Sequence, residues 1–156
     1  MGWLAIPFRP EPANTLMKSG VARQQIAALP YRIGDNGEIE VLLVTSRDTG
    51  RWVIPKGWPM KGKKPHKAAA QEAVEEAGVK GSVGAEPIGQ YVYWKRRTRD
   101  FVLCEVDVYP LQVSRQLKTW PEQGQRELRW FSPEEAARQI EEPDLAVLIR
   151  DVAERL

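Results

Sequence analysis

Short apolar runs punctuated by glycine and proline alternate along this chain with segments in which small, apolar and charged residues recur at helical spacing. From Val21 to Ile33 the pattern predicts a strand ending at the turn Gly34-Asp35-Asn36-Gly37. The run from Ile39 to Thr45 predicts a second strand, completing a hairpin. A polar loop from Ser46 to Arg51 leads to a short strand, Trp52-Val53-Ile54, stopped by Pro55. A loop rich in glycine and lysine follows. A helix is then predicted between Pro65, suited to a first helical position, and Gly78, suited to the residue past the last turn. Two further strands are expected from Val83 to Trp94 and from Phe101 to Tyr109, and a last short one at Leu128-Arg129-Trp130-Phe131. Ser132-Pro133-Glu134-Glu135 has capping-box spacing and predicts a helix start, while Leu145, Leu148, Ile149 and Val152 mark the buried stripe of a terminal helix. Strands and helices mixed in this order predict an α/β fold, an α/β/α sandwich around a mixed β-sheet.

The helix before Gly78 carries the chemistry. At about 100° per residue, Glu72, Glu75 and Glu76 fall within a common arc, and Ala69, Ala70, Ala73, Val74 and Ala77 occupy much of the opposite side. The expectation is a helix that packs on alanines and presents acid outward. Three carboxylates near the negative end of the helix macrodipole repel one another and favour a cation. All-oxygen ligands suit a hard divalent ion, Mg²⁺ or Mn²⁺, which takes a few carboxylates together with waters and substrate phosphates. A solvated helix rich in Ala and Glu is also a common surface object that needs no ligand, so the triplet alone does not decide.

Composition narrows the class. With 156 residues and 42% hydrophobic content the chain can bury one core. Residues 1–17, with three prolines and no sustained period, are expected to be an irregular extension, and residues 18–156 a single domain. No apolar run is long enough to span a membrane or to act as a secretory leader, so the expected compartment is the cytoplasm. One histidine and one cysteine make a zinc site improbable. Cys104, in a strand-like run, reads as a small core residue, and His66 as a surface residue. The net charge of +2 matters less than its distribution. Lys56, Lys61, Lys63, Lys64 and Lys67 crowd the loop and helix start, and Lys95, Arg96, Arg97 and Arg99 form a second basic turn. That density favours a substrate with several phosphates, although about half of such charges are expected to be simply solvated.

The stretch from Gly57 to Val79 resembles the Nudix box of the Nudix hydrolases: Gly, five residues, Glu, seven residues, then Arg-Glu-apolar-x-Glu-Glu-x-Gly-apolar. Gly57, Glu72, Ala73, Glu75, Glu76, Gly78 and Val79 match in register, whereas Lys63 stands at the Glu position and Gln71 at the Arg position. A long fixed spacing of this kind is far more specific than a short motif. The resemblance extends over roughly residues 20–150. It leans toward the diphosphoinositol and diadenosine polyphosphate phosphohydrolases through Val41 to Arg47, Arg51 to Gly57, Glu75 to Gly81 and Arg129-Trp130-Phe131. It implies the Nudix α/β/α sandwich and a Mg²⁺-dependent hydrolase, with Mn²⁺ as a substitute, that cleaves phosphoanhydride bonds by water attack on phosphorus.

By the same resemblance Glu72, Glu75 and Glu76 hold the metal with the backbone carbonyl of Lys56, and Glu75 or Glu76 orients or deprotonates the water. Some relatives place the base outside the box, for which Glu122 and Glu127 are candidates. Substrate-binding candidates are Arg47, Arg51, Lys56, Gly57, Lys63, Arg96 and Arg97, and Trp58 or Trp120 could stack a base. In the family the Glu and Arg replaced here brace the helix. Replacing both leaves a neutral Gln and a Lys that reaches solvent, whereas replacing one would strand a charge. The expected partner is a small-molecule polyphosphate, with nucleic acid restricted to capped RNA ends.

Two competing readings remain. A catalytically silent Nudix domain would bind a nucleotide or polyphosphate as a sensor, and would have no need to keep three glutamates. An RNA-binding protein is prompted by Lys95 to Arg99 beside Tyr91, Tyr93 and Trp94, but alternating aromatics in a strand more often serve packing. A salt-sensitive affinity for RNA oligomers without preference for capped ends would mark that second reading.

Overall fold

A computed structural model describes residues 22–156; the expected irregular stretch 1–17 and Val21 lie outside the described residues. The chain forms β1 (Arg23–Ile33), β2 (Ile39–Thr45), β3 (Trp52–Val53), β4 (Lys56–Gly57), α1 (Pro65–Ala77), β5 (Val79–Val83), β6 (Gly89–Arg96), β7 (Phe101–Gln116), β8 (Leu128–Phe131), α2 (Pro133–Gln139), α3 (Pro143–Arg150) and α4 (Val152–Arg155). The central path of the sheet runs β3-β2-β1-β7-β5, with β8 on β2, β4 on β1 and β6 on β7. The β1–β7 pair is parallel and the other pairs are antiparallel, so the sheet is mixed.

Period-two alternation sends side chains to both faces of this sheet. Ala27, Leu29, Val41, Leu43, Val106 and Val108 pack with the buried residues of α2, α3 and α4, among them Ala136, Leu145, Leu148, Ile149 and Val152. Ile26, Ala28, Leu42, Val44, Tyr109 and Leu111 meet Ala68, Ala69, Ala73 and Ala77 of α1. Helices therefore cover both faces, giving the α/β/α sandwich. The small alanine side chains let α1 lie close to the sheet, which brings its carboxylates near β4. Among the described residues no helix is long and apolar enough to cross a membrane.

Most elements follow the local pattern, and the departures have physical causes. The segment read as one strand from Val83 to Trp94 is split. Residues 79–83 pair with the far half of β7 and residues 89–96 with its near half, across bends at Gly84 to Ile88. Strand β7 is longer than expected because it runs past Pro110 to serve both partners. Lys56–Gly57, expected as loop, pairs with Ile26 and Ala27 of β1. Ser132 caps α2, its Oγ accepting from the Glu135 N–H at 3.2 Å. The terminal helix is interrupted at Asp151, although Leu145, Leu148, Ile149 and Val152 are all buried as expected.

Helix α1 begins with Pro65 and ends at Gly78, whose left-handed φ of 66° lets its N–H reach the Ala73 and Val74 carbonyls. The Trp120 indole lies directly over Gly78, where an added Cβ would overlap the ring. Gly78→Ala should therefore cost about 2 kcal/mol or more, combining left-handed strain with overpacking. Gly37→Ala, at φ 83° in open space, should cost about 1 kcal/mol from strain alone. Urea midpoints at unchanged slope would report the difference; equal losses would contradict the packing of Trp120 on the helix end.

Candidate active site

A cavity of about 330 Å³ opens where α1, β4, β6, the β2–β3 loop and the β7–β8 loop converge. Its wall combines Glu72, Glu76 and Glu122 with Arg47, Lys56, Lys95 and Arg126, and adds Gln25, Ser46, Asp48, Val53, Gly57, Trp58 and Tyr93. Acid and base thus face each other across one polar hollow.

The helix does not simply present acid outward. Glu76 is only 7% exposed, and Glu72 is half-buried beside it. Glycine at position 57 explains how: a Cβ there would fall on the Glu72 carboxylate, so the bare Gly57 leaves the volume into which Glu72 folds. Burial and the neighbouring Glu76 and Glu75 charges push the Glu72 carboxyl from an ordinary 4.5 up to about 8. Burial also raises Glu76, to about 6, against the opposing pull of Arg126 and Lys56. The two carboxyls lie close enough for one proton to be shared between them.

Lys56 follows the same logic with opposite sign: burial pushes its ammonium down, while Glu76 and Glu142 hold it up. Its Nζ lies 5.1 Å from the centroid of the Tyr93 ring, within cation–π range. The Tyr93 hydroxyl donates to Gln25 Oε1 at 2.7 Å, satisfying a glutamine that is 3% exposed. Tyr91 is buried in the core beside Tyr93, with ring centroids 6.2 Å apart, whereas Trp94 is exposed next to the basic turn.

Arg126 holds the acidic side together. Its Nε donates to Glu122 Oε1 at 2.8 Å and its Nη1 to the Thr45 carbonyl at 3.0 Å, and its Nη2 lies 3.8 Å from Glu76 Oε2. Arg47 donates to Gln125 Oε1 at 2.9 Å and lies 3.9 Å from Glu122. The sequence pattern does not single out Arg126 or Gln25 as site residues, and it names Tyr93 only for the RNA-binding reading, because their positions depend on pairings across the whole sheet. The Glu122–Arg126 spacing of four was the one local signal.

Other sequence candidates fall elsewhere. Glu75 lies off the cavity wall and accepts from Gln71 Nε2 at 2.8 Å. Lys63 donates to Gln71 Oε1 rather than lining the cavity. Arg51 turns to Glu142 at 2.8 Å and Glu141 at 3.9 Å. Arg97 pairs with Asp100 at 2.6 Å on the exposed turn, and Arg96 is exposed beside it, while Lys95 of the same run reaches the cavity. Glu127 binds Thr45 through its backbone, its N–H donating to Thr45 Oγ1 and its carbonyl accepting from the Thr45 N–H. Trp58 is 45% exposed at the cavity wall, whereas Trp120 is spent on packing over Gly78. His66 is half-buried against Tyr109, and Cys104 is a core residue.

Among the described residues no three acidic, histidine or cysteine side chains form a ready-made metal cage. The donor set nonetheless fits a hard cation. The buried Glu76 and the half-buried Glu72 would repel if both were ionised, and a divalent ion can take the place of a proton between them and satisfy both. Mg²⁺ needs only one or two carboxylates when phosphates and waters complete its shell.

Comparison with known proteins places this geometry in a family. The chain is 36% identical over 117 residues to Nudix hydrolase 21, chloroplastic, of Arabidopsis thaliana, covering 73% of this chain and 58% of that protein. It spans less than two thirds of the first Arabidopsis relatives, 61% of Nudix hydrolase 12, mitochondrial, for example. It is 33% identical over 137 residues to Diphosphoinositol polyphosphate phosphohydrolase 2 of Rattus norvegicus, covering 86% of this chain and 71% of that one. A C. elegans Ap4A hydrolase crystal structure shares the fold with a TM-score of 0.62 at 18% identity, over 85% of this chain and 97% of that one. The pattern of the NUDIX domain matches residues 23–152, from the first strand to the start of the last helix, and the chain belongs to the Nudix family.

Proposed function

We propose that this chain is a Mg²⁺-dependent hydrolase that cleaves phosphoanhydride bonds in a polyphosphate of the diadenosine polyphosphate or diphosphoinositol polyphosphate type, with Mn²⁺ able to substitute. The observation that carries this reading is the pair of half-buried Glu72 and buried Glu76 facing Lys56, Lys95 and Arg47 across one cavity. Family membership and the name of the rat relative support the same reaction class and branch. A cytoplasmic setting belongs to the same proposal.

Glu72 and Glu76, with the Lys56 carbonyl, would hold the cation, and Glu75, off the cavity wall but close enough to act on Glu72, would add its negative charge to the site. When bound, it supplies charge neutralisation on phosphate oxygens and a lowered pKa for an attacking water. Lys56, Lys95 and Arg47 take the remaining phosphate charge, Lys56 with less hydration to shed because it is already desolvated. A phosphorus–oxygen bond forms to the water as the bridging phosphorus–oxygen bond breaks, and a phosphate oxygen leaves. The water's proton passes to a carboxylate of the cavity wall, Glu76 or Glu122, both held in place by Arg126. Since such displacement needs little covalent help, positioning carries most of the rate. Trp58, exposed at the wall, is placed to meet a base or another flat group.

The test is release of phosphate and nucleotide from diadenosine polyphosphates, diphosphoinositol polyphosphates, ADP-ribose, NADH and nucleoside triphosphates with Mg²⁺ or Mn²⁺. Turnover of the longer polyphosphates is expected, and Glu76→Gln should lower it by about 100-fold or more while leaving the fold intact. Unchanged turnover in that variant would sink the assignment, and tight binding without turnover would leave a polyphosphate-binding module.

A second expectation concerns pH. With Glu72 and Glu76 raised to about 8 and about 6, the folded chain without metal binds more protons than the unfolded chain above the ordinary carboxylate value. Stability is therefore fully present below about pH 4.5 for this pair and is lost as pH rises through about 6 and about 8. Thermal unfolding in chelator should show Tm falling across that window, with the fall flattened in Glu72→Gln and offset by Mg²⁺. A Tm in chelator that rises across that window, or a slope unchanged by Glu72→Gln, would contradict the paired burial.

A further inference from the structure

Two positions that depart from the family pattern, Lys63 and Gln71, touch each other and the metal-site helix. The Met60–Lys63 turn, closed by the Lys63 N–H on the Met60 carbonyl at 3.1 Å and eased by Gly62 at φ 76°, brings Lys63 back beside α1. There its Nζ donates to Gln71 Oε1, and Gln71 Nε2 donates to Glu75 Oε2 at 2.8 Å.

We propose that Lys63 and Gln71 form a hydrogen-bond relay of reversed polarity that fixes the Glu75 carboxylate, making both of them positioning residues for the acidic helix. The direction of the relay follows from donor chemistry. An ammonium only donates, so it can face only the amide oxygen of Gln71, and that leaves the NH₂ group turned toward Glu75. Glu75 only accepts, so the chain of donors closes without a mismatch. A carboxylate at position 63 would reverse the amide and set its oxygen against the Glu75 oxygens. A guanidinium at position 71 with Lys63 retained would set two cations together. Only the two changes made together restore a donor aimed at Glu75 and a compensated charge. The inference rests on the proposed reading of Glu72 and Glu76 as cation-holding residues with the Glu75 charge beside them, and concerns how this chain supports that helix with different side chains.

The test is a double-mutant cycle on the full chain, with Mn²⁺ alone as the probe and free Mn²⁺ read by electron paramagnetic resonance. Lys63→Glu and Gln71→Arg should each weaken Mn²⁺ binding by roughly tenfold, and the combined variant should return to within about threefold of the parent. Parent-like binding in both single variants, or losses that multiply in the combined one, would overturn the relay.

A metal-free readout separates this from the metal assignment. The Gln71 side-chain amide signals in ¹⁵N spectra should move in Lys63→Glu and in Glu75→Gln, and signals unmoved in both would overturn the relay. A parent chain that binds no Mn²⁺ yet shows both amide shifts would instead overturn the cation-holding reading and leave the relay standing.

Discussion

The burial of two mutually repelling carboxylates, Glu72 and Glu76, is the constraint around which the rest of the site is arranged. Neither would sit comfortably ionised in a cavity walled by protein unless something positive met it. The chain supplies partial answers. Arg126 lies 3.8 Å from Glu76, Lys56 lies close enough to oppose its upward shift, and the two carboxyls can share a proton. A divalent ion that displaces the proton between the two carboxyls would meet both charges at once. The requirement reaches into the backbone, because Glu72 folds into space that only a glycine at position 57 leaves open.

Construction of the sandwich makes that arrangement possible. Alanines at 68, 69, 73 and 77 let α1 settle on the sheet, so the carboxylates one turn apart meet β4 instead of bulk water. Trp120 over Gly78 closes the far end of the helix, and the Glu122 N–H donates to the Glu75 carbonyl at 3.0 Å, tying the β7–β8 loop to the same turn. Through Arg126 that loop then reaches both Glu76 and the Thr45 carbonyl at the end of β2. Helix, loop and sheet edge are thereby held in register around a hollow whose opposite wall carries Lys56 and Lys95.

What the sequence disclosed and what it hid follow one division. Helix α1 was legible because every signal for it is local: Pro65 at its start, Gly78 at its end, alanines and glutamates at fixed spacing between them. Family membership was legible for the same reason, since the Gly57 to Val79 spacing is a linear pattern. The split of β5 from β6 was hidden because it depends on which half of β7 each one pairs with. Arg126 and Gln25 were hidden because their partners lie 50 and 68 residues away in the chain, at Glu76 and Tyr93. Charge alone misled at Arg51 and Arg97, which spend their guanidinium groups on Glu142 and Asp100. Lys63 and Gln71 stood out as departures from the pattern, and only the fold shows that they touch.

The most direct test of the central claim is anomalous diffraction from crystals of this chain soaked in Mn²⁺. The account predicts a manganese peak bounded by the Glu72 and Glu76 carboxylates on the cavity side of α1. A peak bound elsewhere, or no peak at saturating Mn²⁺, would contradict it.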